Sequence, residues 1–346
     1  MISVIENYNI FIYREECVEM VQIPEDVIDW LLEEENSSIR YRTMLELQDL
    51  PNTRNQIKEA KEAVMKYPVV QNILKKMHPE GYWEVKKRDG RIIGAGVEYA
   101  DWSTTHYVLS YLVELGLTKD NPLVNKAANR YLSLQQPDGD FWNHFSCLYG
   151  INVRTFIKLG FQEDPRLLKT IELLKTMIRE DHGYLCDLHE GKRKTRLVKS
   201  CYRGSVKVLF ALSELPQLWG ESYTKRLINY FLDRNVLYKT KRPTEFVTKE
   251  TGKTIFPFSY RAGLLETLYA LAKMGYGEDP RVQNTWTILQ HHRTPTGRYI
   301  LDWTPGRTTN RYFYPGKKQT ENKWVTFYAY LCLKYKNESG KNNSSK

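Results

Sequence analysis

"LGFQEDPRLL" (Leu159–Leu168) returns twice in the chain, as "LGLTKDNPLV" (Leu115–Val124) and "MGYGEDPRVQ" (Met274–Gln283). Each copy is an apolar residue, a Gly, a short polar stretch with Asp or Asn, a Pro and a new apolar run. Gly closes a helix in a left-handed conformation. Asp or Asn then caps the next helix, and Pro is tolerated in its first turn. Each copy therefore reads as the tight turn of a helical hairpin.

A second element alternates with the first: "HPEGYW" (His78–Trp83), "QPDGDFW" (Gln136–Trp142), "EDHGYL" (Glu180–Leu185) and "TPTGRYI" (Thr294–Ile300). The interval from Gly116 to Gly160 is 44 residues, and so is that from Gly139 to Gly183. "CYRGSVKVLFALSELPQLW" (Cys201–Trp219) fills the longer interval before Gly275 as a divergent copy. A fixed period of this length marks a repeat architecture. Apolar residues recur at helical spacing in between, for example Val108, Leu109, Leu112, Val113 and Leu115. No convincing strand run occurs outside residues 1–22. The unit is an aromatic loop, a helix, a Gly/Pro turn and a second helix.

The stretch "YLSLQQPDGDFW" (Tyr131–Trp142) carries an aromatic–Leu pair, a Gln, an acidic–Gly turn and a closing Phe or Trp. In this it resembles the repeat of the terpenoid cyclase and protein prenyltransferase superfamily. The wider pattern, with "DHGYLC", "FPFSYR" and "GYGEDPRV", is similar to prokaryotic squalene-cyclase-like proteins. The likeness covers about residues 77–335. It implies an all-α fold, an α/α toroid with inner and outer helices around a central cavity. Residues 1–76 are then expected as a mainly helical N-terminal extension, and 336–346, rich in Asn, Ser and Lys, as a disordered tail.

The chain has 346 residues, 41% of them hydrophobic and 13% aromatic, enough for a substantial core. Its formal charge of +10 is dispersed among acidic residues, except for a cluster at Lys192, Arg193, Lys194, Arg196 and Lys199. No long basic stripe or recognition motif points to nucleic acid. No apolar run approaches the roughly 20 residues of a membrane-spanning helix. The N-terminus lacks a basic segment followed by an apolar core, so no signal peptide is expected. Five irregularly spaced cysteines suggest reduced thiols in a cytoplasmic setting.

Inner helices are expected to begin near Trp102, Cys147, Cys201, Tyr260 and Trp324, with their N-termini on one rim. Such a rim suits an anion. Ligand contacts are therefore expected from Trp102, Tyr202, Arg203, Tyr260, Arg261 and Trp324. Arg and Tyr at helix starts equally cap neighbours or pair with carboxylates. Cys147, Cys186 and Cys201, with His182 or His189, would make a Cys/His set suited to zinc if they met on that rim. Single buried cysteines otherwise act as small apolar residues. His106 and His144 are weaker candidates for the cavity.

The acidic Asp-x-Asp-Asp motif of the cyclases is absent, and so is the Asp-x-Cys of the prenyltransferase zinc site. The resemblance thus implies an isoprenoid or other apolar ligand, or an isoprenoid diphosphate, and leaves the activity open. The alternatives are a non-catalytic helical-repeat binding module and a sugar-acting α/α-barrel enzyme. The latter needs paired carboxylates, for which Asp101, Asp140 and Asp187 stand at or near the aromatic loops.

Overall fold

A computed structural model of the chain describes residues 23–97, 101–141, 145–186, 199–307 and 310–343. Both classes of turn form as the residue types require. Gly116, Gly160 and Gly275 have φ of 91°, 95° and 91°. The amide of Leu117 reaches back to Leu112, and that of Phe161 to Phe156, closing the preceding helices. Asn121, Asp164 and Asp279 then accept hydrogen bonds from the first amides of the next segment.

The aromatic-loop turns share one hydrogen-bond pattern. The amides of Gly81, Gly139 and Gly297 bond to the carbonyl three residues back, with φ of 86°, 96° and 78°. In "EDHGYL" the matching bond comes from His182, whose φ is 68°. The register of that copy is therefore one residue earlier than the Gly alignment suggests. Gly183 is required for space instead, because a Cβ there would lie 2.5 Å from Ser200 and 2.7 Å from Tyr230.

Two kinds of helix alternate. Thr105–Glu114, Ser146–Lys158, Tyr202–Leu212, Leu264–Leu271 and Lys323–Asn343 are inner helices. Every residue of Thr105–Glu114 and of Leu264–Leu271 is buried. Their partners Pro122–Leu132, Pro165–Thr176, Ser222–Leu232 and Gln283–Gln290 are amphipathic and lie outside. Pro165–Thr176, for instance, buries Leu167, Thr170, Ile171 and Leu174, a single stripe at helical spacing. Inner helices pack on inner helices, most extensively Ser146–Lys158 on Tyr202–Leu212.

The N-terminal segment completes the circle. Ser37–Arg42 and its continuation Thr43–Leu47 pack against Lys323–Asn343, while Glu25–Leu32 packs beside both. Residues of this segment share one continuous core with the repeats, including Val27, Leu31, Ile39 and Met44. At the other end the last helix runs to Asn343, past the boundary expected at residue 335. Ser339 anchors it through a 2.8 Å hydrogen bond to the Ala272 carbonyl. Two short antiparallel hairpins lie in the connections: Val85–Lys86 with Ile92–Ile93, and Tyr238–Lys239 with Arg242–Phe246.

Candidate functional site

Inner helices alternate with outer ones, so all inner helices run the same way. Their C-terminal halves bring charged side chains to the axis. Glu114 accepts from Arg42 at 2.8 Å and from Arg154 at 2.6 Å. Arg154 lies 3.7 Å from Glu214, which pairs with Lys273 at 2.5 Å. Lys273 sits over the Tyr335 ring at 5.5 Å, and Tyr328 on the same helix accepts from Arg42 at 3.1 Å. The chain of contacts visits each inner helix once and closes on itself. The Glu114 carboxyl is held below its ordinary range: burial opposes this, but Arg154 and Arg42 outweigh it. A separate ion pair, Lys207 with Glu266, is fully buried between Tyr202–Leu212 and Leu264–Leu271.

These groups fill the axis. A cavity there, lined by Glu114, Arg154, Lys207, Phe210, Phe258 and Glu266 among others, measures about 20 Å³. That holds about one water molecule. An isoprenoid chain has no room in it.

At the opposite end lie the helix starts. Trp102 stacks on Tyr107 at 5.3 Å and meets Tyr260 at 5.6 Å and Trp303 at 5.7 Å. The Arg261 guanidinium lies 4.3 Å from the Trp303 ring. Trp102, Tyr260 and Arg261 are thus together. Arg203 joins them through Glu250, which takes ion pairs from both arginines. These two arginines therefore have a carboxylate partner within the protein. Tyr202 points elsewhere, against Phe231 of the outer helix. Trp324 is buried against Phe256 at 5.0 Å and Phe313 at 5.4 Å. Of the acidic candidates, Asp101 pairs with Lys87 and Asp140 is buried in its turn, while Asp187 is outside the described residues.

The three central thiols converge. The Cys147 sulfur lies beside Gly204, 3.5 Å from where a Cβ there would stand, with Cys186 and Cys201 as its neighbours. The Ser146 hydroxyl lies 3.4 Å from the Cys186 sulfur, and the Gly204 amide donates to the Cys201 sulfur at 3.5 Å. Hydrogen bonds from the Cys147 thiol, from Ser146 and from the Cys147 amide, at the N-terminus of Ser146–Lys158, bring the Cys186 thiol down to about 6 against the effect of burial. Burial and the same contacts push Cys147 up. All three are free thiols. Among the described residues no group of three or more His, Cys, Asp or Glu side chains is placed to hold a metal ion. Cys186 meets Ser146, the Cys201 sulfur accepts from the Gly204 amide, and His182 serves the turn described above. His189 and His144 lie outside the described residues. His106 is buried against Asn152, 2.7 Å from its side-chain oxygen, and burial lowers it to about 4.

A larger opening lies beside the ring. A groove of about 850 Å³ runs between the Ile178–Asp181 turn, Lys199–Tyr202, the end of Ser222–Leu232 and the hairpin at Lys239–Arg242. Arg179, Lys199, Arg234, Lys239, Lys241 and Arg242 line it, against Glu180, Asp181 and Asp233. Tyr230 and Val247 supply apolar wall. Of the basic cluster read in the sequence, Lys199 is described and reaches this groove; residues 192–196 lie outside the described residues. The groove and the axial ring were missed by sequence reading. Charges inside apolar runs, such as Glu114 in "YLVELGL" and Arg154 in "INVRTF", are the signal for the ring. The groove joins four segments and has no local signal.

A closed circle of helical hairpins with its inner helices aligned defines an α/α toroid. The chain is similar to a glycosyl hydrolase family 88 protein from Bacteroides vulgatus, at 12% identity and a TM-score of 0.50 over 91% of this chain and 98% of that one. A polysaccharide lyase aligns at 14% identity and a TM-score of 0.47, covering 92% and 98% of the two chains. The type II terpene cyclase MstE from Scytonema aligns at 13% identity and a TM-score of 0.30, covering 79% and 96%. At these identities the likeness concerns the fold alone. No family model and no curated protein matches the sequence. No described helix is long and apolar enough to cross a membrane.

Proposed function

We propose that this protein is a binding module on a toroid scaffold, and that its ligand is anionic and lies in the groove beside Tyr202–Leu212 rather than on the ring axis. One observation carries the reading: the groove offers about 850 Å³ under six basic side chains, while the axis leaves about 20 Å³. A concave basic surface concentrates an anion through its field. The apolar wall would hold the uncharged part of the ligand. Phosphate and carboxylate groups share the required charge, so a diphosphate and an acidic saccharide are both suitable ligands.

The test is calorimetric titration with inorganic pyrophosphate, geranyl diphosphate and oligogalacturonate, set against the neutral alcohol and a neutral oligosaccharide. The expected result is binding of at least one anion, none of the neutral compounds, and a fall of about tenfold or more when Lys199→Glu and Lys241→Glu are combined. Unchanged affinity in that variant, or equal binding of the neutral compounds, rejects the groove.

A further inference from the structure

We infer that Cys147 and Cys186 are a redox pair that closes to a disulfide when hydrogen peroxide oxidises the thiols on this rim. The pair stands on geometry. Cys186 follows the Arg179–Gly183 turn and is fully buried. Cys147 is the second residue of Ser146–Lys158, next to Ser146, whose hydroxyl meets the Cys186 sulfur at 3.4 Å; that hydroxyl and the Cys147 sulfur face Gly204 together, 2.5 Å and 3.5 Å from where a Cβ there would stand. Ser146 and the Cys147 amide complete a set of donors around the Cys186 sulfur. Such a set stabilises sulfur as the thiolate, the form that attacks peroxide. Cys201 is half-buried and neighbours Cys147. Its own sulfur caps Tyr202–Leu212. Cys332, by contrast, is buried against the Leu265 carbonyl, and burial pushes it up.

The chemistry balances in two steps. The Cys186 sulfur attacks one peroxide oxygen; an S–O bond forms, the O–O bond breaks, and hydroxide departs with the Cys186 proton as water. The Cys147 sulfur then attacks the sulfenic sulfur. The S–S bond forms, the S–O bond breaks, and hydroxide leaves with the Cys147 proton as a second water. The two thiols lose two electrons and peroxide gains them.

The test is peptide mapping by mass spectrometry, without reduction, of the full chain before and after treatment with hydrogen peroxide. The expected product is a Cys147–Cys186 linkage, with loss of two of the five thiols. Dithiothreitol should restore both. Cys201→Ser should still form the linkage. Cys186→Ser should abolish it and leave Cys147 reduced, with the circular dichroism of the wild type as the folding control. Four outcomes overturn the inference: no linkage in the folded wild type, a Cys147–Cys201 linkage, oxidation of Cys332 ahead of the pair, or a co-purifying zinc ion that protects the thiols until it is chelated.

Discussion

Glu114 and Arg154 form a buried ion pair at 2.6 Å, with side chains 3% and 6% exposed. The same carboxylate takes Arg42 from the N-terminal hairpin and the hydroxyl of Tyr328 from the last inner helix. One acid thus connects three inner helices with the N-terminal segment. Charges this deep are costly to desolvate, and their mutual contacts repay that only when all are present.

Removing the acid should therefore cost more than a surface pair. Glu114→Ala leaves Arg42 and Arg154 buried without their shared partner, and about 3–5 kcal/mol of stability should be lost. Asp120→Ala, which breaks an exposed pair with Lys61, should cost about 1 kcal/mol or less. Urea unfolding followed by circular dichroism measures both. Equal effects would show that the ring of contacts does not close the fold.

The Lys207–Glu266 pair allows a sharper comparison. Each side chain is 1% exposed. Glu266→Leu alone should destabilise by several kcal/mol, because a buried ammonium loses its partner. Lys207→Met with Glu266→Leu should recover most of that loss. A double variant as unstable as the single one would mean that the pair has bonds the apolar replacements cannot spare, such as that from Lys207 to the Arg261 carbonyl at 2.6 Å.

Close helix packing sets a third expectation. At Gly150 a Cβ would lie 2.4 Å from the Lys207 carbonyl carbon. Ala favours helices by about 1 kcal/mol over Gly. Even so, Gly150→Ala should destabilise by about 1–3 kcal/mol, since the backbones of the two most closely packed inner helices must part. Thermal unfolding decides the sign. A rise in Tm would show that the helices separate freely.

His292 gives the pH dependence. Its Nε2 lies 2.7 Å from the Asp302 carboxylate, and its Nδ1 donates to the Ile288 carbonyl at 2.8 Å. Burial works against the charged ring, but Asp302 and the carbonyl outweigh it, and the imidazole titrates above its ordinary 6.5. The stability from this raised group is fully present below about pH 6.5 and is lost as pH rises through the folded value. Asp302 is shifted down by the same contact, so its share persists to lower pH and is lost only as pH falls through its depressed value. His292→Gln should flatten the fall in Tm between about pH 6 and pH 8. An unchanged profile would place that fall in other groups.

The repeat turns were legible because their chemistry is local. Gly116, Gly160 and Gly275 adopt the left-handed conformation that their residue type permits, and Asn121, Asp164 and Asp279 cap as such residues do. His182 was misread by one position for the same reason. Asn, Asp and His tolerate a positive φ, so the residue before Gly183 took the turn while the glycine met a steric need from Ser200 and Tyr230. The inner-helix starts were also legible, falling within four residues of the expected positions.

Of the candidate ligands, Trp102, Tyr260 and Arg261 come together, and Cys147, Cys186 and Cys201 meet. Which arginines have protein partners was not readable, because Glu250 comes from a connection between repeats.

The sequence by itself determined a mostly helical chain of hairpins, their turns and the order of inner and outer helices. These depend on contacts within a few residues. Tertiary structure alone decided that the axis is closed by charge and the open space lies beside it. Arg42, Glu114, Arg154, Glu214, Lys273 and Tyr328 stand in six separate segments. Their pairing depends on how the circle closes, and no local pattern encodes it.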